Sequence, residues 1–286
     1  MKIHQTILAA VIAFLVWTPV TTWAAVTVNL TTAGATATPT AVIGGVFRVE
    51  QIDPQSTGTG VIDSFVRIQD NGNEEGYNTD LGTPLDTKAG NFTHSLLLSS
   101  VPIVDIGGTL YRQFLLDINQ NTGGDNEFIT LNQIQIFLAP SDMLHTGLIP
   151  AGATTPPEIA FAGTTEVFRM NEDTNTGFTQ ILMDYSLNAG SGSGDMFLYV
   201  LNSAFTGLGT QNLILYSQFG DDPDGPGGAF GNGGTNDGFE EWAVLLPEGS
   251  PDPNPPPSLP EPTSLAIWCL GLVAAGFGAR RMRKQK

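Results

Sequence analysis

Short runs of apolar or alternating residues recur along the chain between residues 25 and 246. Clusters of Gly, Asn, Asp and Ser separate several of these runs. Short strands bounded by such turn-forming clusters predict an all-β fold, an antiparallel sandwich of the jelly-roll-like kind. One run, at 180–187, also fits a short helix. The runs cover residues 46–52, 61–69, 95–106, 109–118, 128–139, 166–170, 180–187, 196–205, 213–219 and 239–246, and the clusters lie at 70–73, 122–126 and 189–195.

The run at 128–139 contains a break in its alternation. Leu131, Ile134 and Ile136 cannot share one face of a regular strand, because the step from Leu131 to Ile134 is odd. A bulge or a strand start between Leu131 and Ile134 would restore a common face. We therefore expect one of these two irregularities there.

The segment 141–165 is poor in strand-forming residues and contains a pair of prolines. It fits either a loop across one sandwich or a linker between two smaller ones. All-β folds of about 220 residues commonly remain single domains. We therefore favour one extracytoplasmic domain over residues 25–246.

The first 24 residues have the composition of a secretory signal peptide. A basic Lys2 precedes an apolar stretch at 7–17, and small residues follow at Ala24 and Ala25. This order predicts export, with cleavage after Ala24. The alternative is an uncleaved signal anchor, which Pro19 and the two alanines disfavour.

The composition changes after residue 246. Eight of the 16 residues at 247–262 are proline, which predicts an extended polyproline-II linker at 247–259. Residues 263–279 carry no charge and have about the shortest length that spans a membrane as a helix. Basic residues crowd the last segment, 280–286, and by the positive-inside rule they stay in the cytoplasm, opposite to the exported body.

Three features follow one another at the C-terminus: a Pro-Glu-Pro block, a single short span and an arginine-rich end. Together they resemble the PEP-CTERM sorting domain of Gram-negative bacteria, over residues 260–286. The resemblance implies that an integral-membrane exosortase reads this segment and cleaves near the Pro-Glu-Pro block. The implied location is a transient inner-membrane anchor and then the cell surface or the extracellular space. An ordinary C-terminal anchor on a Pro-rich stalk is the alternative. The motif residues are Pro260, Glu261, Pro262, Arg280, Arg281 and Arg283.

The charge of the chain excludes one class of partner. Between the signal peptide and the basic tail lie five basic and all 28 acidic residues, a net charge of about −23. Such a surface repels phosphate backbones, so we exclude nucleic acid as a partner. The lone cysteine, Cys269, lies in the predicted span, which leaves the body without disulfide or thiolate chemistry.

One polar loop has the spacing of calcium ligands. Asp117, Asn119 and Asn121 occupy positions 1, 3 and 5 of an EF-hand-like loop, with Asp125 at position 9. Ca²⁺ takes several oxygen ligands from one flexible loop, so these four residues form a candidate Ca²⁺ site. Position 6 is not Gly and position 12 is not Glu, and no helices are predicted at either side. The alternative is a hairpin loop whose Asn and Gly residues serve turn geometry.

The sequence contains none of the common catalytic motifs. His94 and His145, the histidines of the body, lie in no nucleophile or metal motif, so we expect no catalytic residue and no enzyme activity.

Glu240 and Glu241 are adjacent carboxylates. In a strand they point to opposite faces, so we expect one at the edge of the core and one in solvent.

Two interpretations of function follow. The first is an exported surface or extracellular-matrix-associated structural or adhesive protein, with exopolysaccharide as a candidate partner. The second is a Ca²⁺-assisted carbohydrate-binding, lectin-like module. Exposed Trp242 and Tyr77 would stack on sugars in either case, although core packing is the favoured role of Trp242. A secreted glycan hydrolase would need two carboxylates that face each other across a groove.

Overall fold

The computed structural model describes residues 26–56, 61–121, 127–143, 159–171, 179–190, 193–207, 211–220, 234–236 and 238–247. The predicted signal peptide, the Pro-rich linker and the PEP-CTERM-like segment lie outside these ranges, so those assignments stay predictions. Within the described ranges, no helix has the length and apolar character needed to cross a membrane.

Two β-sheets account for the described part of the body, which confirms the predicted all-β class. Sheet A consists of β1 (Val26–Asn29), β5 (Asn71–Tyr77), β6 (Leu96–Leu97), β9 (Phe128–Ala139), β10 (Thr165–Arg169), β11 (Thr179–Asp184), β13 (Asn212–Gly220) and β14 (Thr235–Asn236). Sheet B consists of β2 (Thr36–Ala37), β3 (Phe47–Ser56), β4 (Ile62–Ile68), β7 (Ile103–Ile106), β8 (Thr109–Asp117), β12 (Ser193–Leu201) and β15 (Glu240–Leu245).

The order of strands shows how the chain passes between the sheets. Sheet A runs β1-β11-β9-β13-β5-β14, with β10 paired to β9 and β6 to β13. Sheet B runs β2-β3-β12-β8-β15-β4, with β7 paired to β8. The described pairs are antiparallel except for β1 with β11, which is parallel. β9 and β10, which flank the segment 141–164, pair with each other in sheet A.

One apolar core lies between the two sheets. Val49, Phe114 and Leu198 of sheet B belong to the same buried cluster as Ile136 and Phe168 of sheet A. These side chains alternate along their strands with residues that point away from the core, as the period of a β-strand requires. Each sheet therefore has an inner face in the core and an outer face, and the outer faces carry the features considered below.

The irregularity predicted in the run 128–139 is present as a bulge. Gln133 of β9 pairs with Gln218 of β13, whereas the next residue of β13, Phe219, pairs with Leu131. Asn132 is therefore the extra residue. Because of it, Leu131 and Ile134 both point into the core and are fully buried, which confirms the prediction.

The short-helix alternative for residues 180–187 is wrong. Residues up to Asp184 belong to β11, and a single 3-10 turn, Tyr185–Leu187, follows. The carboxylate of Asp184 accepts a hydrogen bond from the backbone N–H of Ser186 and starts this turn. A further 3-10 turn, Leu98–Ser100, divides the predicted run at 95–106 into β6 and β7, and another, Asn202–Ala204, follows β12 at the end of the run at 196–205.

The predicted turn at 70–73 is for the most part a strand. β5 begins at Asn71, and its residues pair with β14 on one side and with β13 on the other. Its Asn and Gly residues have low intrinsic β-propensity, so tertiary pairing overrides the local signal. Gly76 shows why a small residue is needed, because a Cβ atom there would lie 2.6 Å from the methyl carbon of Thr87.

Candidate functional site

The structure places three of the four predicted Ca²⁺ ligands at one end of the sandwich. Asp117 is the last residue of β8 and only 5% exposed, Asn119 is half-buried and Asn121 is exposed. Asn121 donates from its backbone N–H to the side-chain oxygen of Asn236, at 2.7 Å, and from its amide to the Asn236 carbonyl, at 3.0 Å. Part of this polar loop therefore serves to join it to β14. Asp125 lies outside the described residues.

Among the residues that the structure describes, no three His, Cys, Asp or Glu side chains form a group able to hold a metal ion. The four-residue Ca²⁺ site stays a prediction. The charge of Asp117 acts on a second carboxyl group, that of Asp195 on the neighbouring strand β12.

Asp195 is a buried acidic residue that sequence reasoning missed. It follows a glycine-rich stretch and is 4% exposed, and one of its oxygens accepts a 2.8 Å hydrogen bond from the backbone N–H of Ile118. Its other oxygen, Oδ1, is buried and has no hydrogen-bond partner among the described atoms. Burial raises the pKa of Asp195 to about 9; the hydrogen bond from Ile118 opposes this rise, and the charges of Asp117 and Asp184 add to it.

Both members of the adjacent glutamate pair are buried, so the prediction that one faces solvent is wrong. Glu240 points between the sheets and shares a hydrogen bond with Glu74 of β5. The amide of Gln120 also donates to Glu240, at 2.7 Å. Burial raises the pKa of Glu74 and raises that of Glu240 well above its ordinary range, because two carboxyls in contact away from water retain a proton.

Glu241 is held on the opposite, outer face by a set of polar and aromatic contacts. Its carboxylate accepts hydrogen bonds from the hydroxyl of Ser64 and from the guanidinium of Arg67, the latter at 2.6 Å. The Arg67 guanidinium also lies 3.5 Å from the ring centre of Phe92 and 4.2 Å from that of Phe239. The second glutamate is buried because arginine neutralises it and two rings cover the arginine.

The two aromatic residues proposed to stack on sugars are not available for stacking. Trp242 is fully buried in the core between the sheets, where its indole N–H donates to Ser217 at 3.0 Å, so the favoured core role is confirmed. Tyr77 is fully buried too, on the outer face of sheet A, with its ring centre 4.9 Å from that of Phe161. Stacking on an external sugar is therefore excluded for both in this fold.

A different set of aromatic rings lies on the outer face of sheet B, and we call it the sheet B aromatic row: Phe197, Tyr199 and Tyr111. The ring centres of Phe197 and Tyr199 are 5.7 Å apart, and those of Tyr199 and Tyr111 are 6.3 Å apart. Phe197 and Tyr111 are partly exposed, whereas the central Tyr199 is 7% exposed.

Polar groups flank the row on the neighbouring strands. Tyr199 pairs with Arg48 of β3 and with Gln113 of β8, and the Gln113 amide lies 3.4 Å from the Tyr199 hydroxyl. Phe197 pairs with Glu50, which forms a 3.0 Å ion pair with Arg48. The face thus combines aromatic surface with an amide, a guanidinium and a carboxylate.

The alternation of core-facing and outward-facing residues along β12 indicates two members of this row. Leu198 and Val200 point into the core, so Phe197 and Tyr199 must share the outer face of β12. That β12 and β8 are neighbours, which brings Tyr111 next to Tyr199, is a long-range pairing that the sequence pattern alone does not reveal.

His94 pairs with an acidic residue without forming a nucleophile arrangement. Its Nε2 atom lies 3.2 Å from Asp63, and its Nδ1 atom contacts the carbonyl of Ser95 at 2.7 Å. Burial lowers the pKa of His94, but the hydrogen bond and charge of Asp63 and the Ser95 carbonyl outweigh burial, so the pKa is raised. The nearby Ser64 hydroxyl donates to Glu241 instead. His145 lies outside the described residues.

In comparisons with protein-family models, with curated proteins and with solved structures, no match to this chain is found.

Proposed function

We propose that the chain is an exported surface or extracellular-matrix-associated protein with a structural or adhesive role, sorted through a PEP-CTERM-like C-terminus that exosortase reads. The observation that carries the proposal is the combination of a two-sheet body with an export-type segment before it and a sorting-type segment after it. The strong negative charge of the body suits a soluble surface outside the cell.

We further infer that the body is a jelly-roll-like sandwich. Eight of its strands support this: β4-β15-β8-β12 in sheet B and β5-β13-β9-β11 in sheet A. Along the chain, β4, β5, β8 and β9 alternate between the sheets, and β11, β12, β13 and β15 alternate again after one connection within sheet A. Two successive Greek keys wrapped into two sheets produce this order, and jelly rolls of this type are common in lectin and capsid domains.

An intact-mass measurement of the protein recovered from the surface and medium of its native host tests the sorting proposal. We expect a mass that begins near Ala25 and ends near residues 260–263, since the signal peptide and the sorting segment would both be removed. A mass that still includes residues 263–286 would make the segment a permanent anchor, and the sorting proposal would be wrong.

A Ca²⁺-assisted carbohydrate-binding module is the second candidate function. The position of Asp195 favours it, because this buried carboxyl lies beside Asp117, has an oxygen without a described hydrogen-bond partner, and would be stabilised by a cation that replaces its proton. The test is the thermal midpoint of the full-length chain at pH 7.5 with Ca²⁺ and with EDTA. We expect an increase of several degrees in Ca²⁺, lost in Asp117→Asn and kept in Asp105→Asn, which changes an exposed carboxylate outside the candidate site. Equal midpoints in Ca²⁺ and EDTA would rule this candidate out.

A further inference from the structure

The outer face of sheet B contains aromatic surface that the fold itself does not fully bury. Tyr111 and Phe197, the two ends of the sheet B aromatic row, retain exposed surface, although apolar groups of their size are usually covered in a folded domain. The outer face of sheet A shows the usual outcome, because Phe161 lies over its rings. The central Tyr199 is only 7% exposed, so the two partly exposed end rings are the apolar surface that the row offers to a ligand.

The groups that flank the row have the chemistry of sugar recognition. Aromatic rings offer flat apolar surface to the C–H face of a pyranose, and hydrogen-bonding groups at the edge of the rings engage its hydroxyls. The edge groups here are the partly exposed Arg48 guanidinium and Glu50 carboxylate, while the Gln113 amide is buried against the Tyr199 hydroxyl. Arg48 and Glu50 keep about a quarter and a third of their side-chain surface, so each is able to exchange part of its ion pair for a ligand hydroxyl.

The geometry also favours a chain over a single sugar. The row crosses two strands obliquely, since Tyr199 pairs with Gln113 while Tyr111 pairs with Leu201, one step further along the diagonal. Its successive ring centres are 5.7 and 6.3 Å apart. The ring planes are tilted by 54° between Phe197 and Tyr199 and by 74° between Tyr199 and Tyr111, so the row is not one flat platform. A ligand that contacts both partly exposed ends must reach across the buried Tyr199, which an extended chain does and a single sugar does not.

The negative charge of the body favours neutral polysaccharides over anionic ones as ligands. With a net charge of about −23 between the signal peptide and the basic tail, the body repels uronate-rich, sulfated or phosphorylated polymers. Arg48 is itself compensated by Glu50, so the row offers no unpaired cation to a polyanion. A neutral glycan incurs no such repulsion.

We propose that the sheet B aromatic row, with Arg48 and Glu50 at its edge, binds a neutral polysaccharide chain without the help of Ca²⁺. This inference rests on the proposed adhesive function and names its ligand class and its surface. It does not depend on cleavage of the C-terminus. The intact-mass measurement and the binding experiment below therefore fail independently of each other.

Affinity electrophoresis of the full-length chain in mild detergent and EDTA tests the inference. The gels contain mixed-linkage β-glucan, galactomannan or dextran as neutral probes, and alginate as the polyanion. We expect retardation by at least one neutral glycan and none by alginate. Tyr111→Ala should weaken binding by about tenfold, because it removes a partly exposed stacking ring, and Tyr111→Phe should keep most of the binding. Arg48→Gln should weaken binding severalfold without leaving a cavity.

The matched control is Leu110→Ala, which truncates a side chain that is 49% exposed and adjacent in sequence to Tyr111 but points to the other side of β8. It should bind like the unmodified chain. The inference is overturned if no neutral glycan retards the protein, or if Tyr111→Ala and Leu110→Ala bind equally. It is also overturned if Tyr111→Ala abolishes only alginate binding or only concentration-dependent self-association, since the row would then serve another class of partner.

Discussion

The outer faces of both sheets carry aromatic side chains, which are buried on sheet A and partly exposed at two positions on sheet B. On sheet A, Tyr77 and Phe137 are covered by Phe161, whose ring centre lies 4.9 and 5.2 Å from theirs. On sheet B, Tyr111 and Phe197 keep part of their surface exposed. On both faces, aromatic residues occupy strand positions whose side chains point away from the core. The difference comes from where the chain passes next, since the segment at 159–161 returns over sheet A.

Each sheet also contains a buried tyrosine, Tyr216 in sheet A and Tyr199 in sheet B. Burial raises the pKa of Tyr216, on the covered face, well above its ordinary value, and its hydroxyl donates to Glu75. Burial also raises the pKa of Tyr199, on the sheet B face, where Glu50 adds to the rise and the Gln113 hydrogen bond opposes it.

The largest effect is expected from removing the cover of sheet A. Phe161→Ala should lower the free energy of unfolding by about 3 kcal/mol, because it deletes a buried ring and leaves a cavity above Tyr77 and Phe137. Urea unfolding of the full-length chain, followed by tyrosine and tryptophan fluorescence, measures this change.

Phe161→Leu is the matched control, and it should recover more than half of the loss because it refills most of the cavity. A loss below about 1 kcal/mol in Phe161→Ala would mean that the segment at 159–161 is not a permanent part of the sheet A face. The contrast between a covered face on sheet A and a partly exposed face on sheet B would then be wrong.

The second prediction concerns how stability depends on pH through Asp195, which lies two residues before Phe197 on β12. Its pKa is about 9 in the fold and near 3.8 in the unfolded chain, so the unfolded state loses its proton first. Stability should therefore be greatest below about pH 4 for this group and fall as the pH rises towards 9. Asp195→Asn cannot lose a proton, so in EDTA its stability advantage over the unmodified chain should already be present at pH 5 and should grow steadily as the pH rises to 8.

Thermal unfolding between pH 5 and 8.5 measures this difference, and Asp105→Asn, at an exposed position of sheet B, is the control. Glu74, Glu75 and Glu240, whose pKa values are also raised, should leave a residual decline in both proteins. Parallel pH profiles for Asp195→Asn and the unmodified chain would show that Asp195 is ionised and paired at neutral pH.

Much of the fold was predictable from the sequence, because alternation and turn residues are local signals. The run at 128–139 became β9 with the same bounds, and the odd step after Leu131 located the bulge at Asn132. The strand that starts at Asn71 was not predictable, because only pairing with β13 and β14 makes its Asn and Gly residues extended. Local patterns lack the information on which strands meet across the chain.

The candidate site was less predictable for the same reason. Burial of Glu241 depends on Arg67, 174 residues away in sequence, and burial of Glu240 depends on Glu74 and Gln120. Alternation placed the two glutamates on opposite faces, as the structure has them, but no local pattern indicated that both faces are covered there. Tyr111 joins Tyr199 only because β8 and β12 are neighbours.

A smaller effect should distinguish two arginines on the outer face of sheet B. Arg67→Ala should cost about 1 kcal/mol, because it removes a guanidinium held between Phe92 and Phe239 and leaves the buried Glu241 carboxylate with only Ser64. Arg48→Ala should cost less than about 0.5 kcal/mol, since its ion pair with Glu50 is more exposed. Chemical unfolding measures both, and equal costs would mean that the aromatic contacts of Arg67 add nothing.

The last prediction compares the stability cost of Tyr111→Ala, on the outer face of sheet B, with that of Phe161→Ala, on the outer face of sheet A. Tyr111 keeps part of its surface exposed at the end of the row, whereas Phe161 is 5% exposed, so Tyr111→Ala should lower the free energy of unfolding by well under half as much as Phe161→Ala. Phe161→Ala, measured in the same urea series, provides the scale. If Tyr111→Ala cost as much as Phe161→Ala, the row would be internal packing covered by another part of the chain, and a ligand could not reach it. A negligible cost together with lost glycan binding would assign the exposed rings to recognition, because nothing in the stability of the fold would then require them.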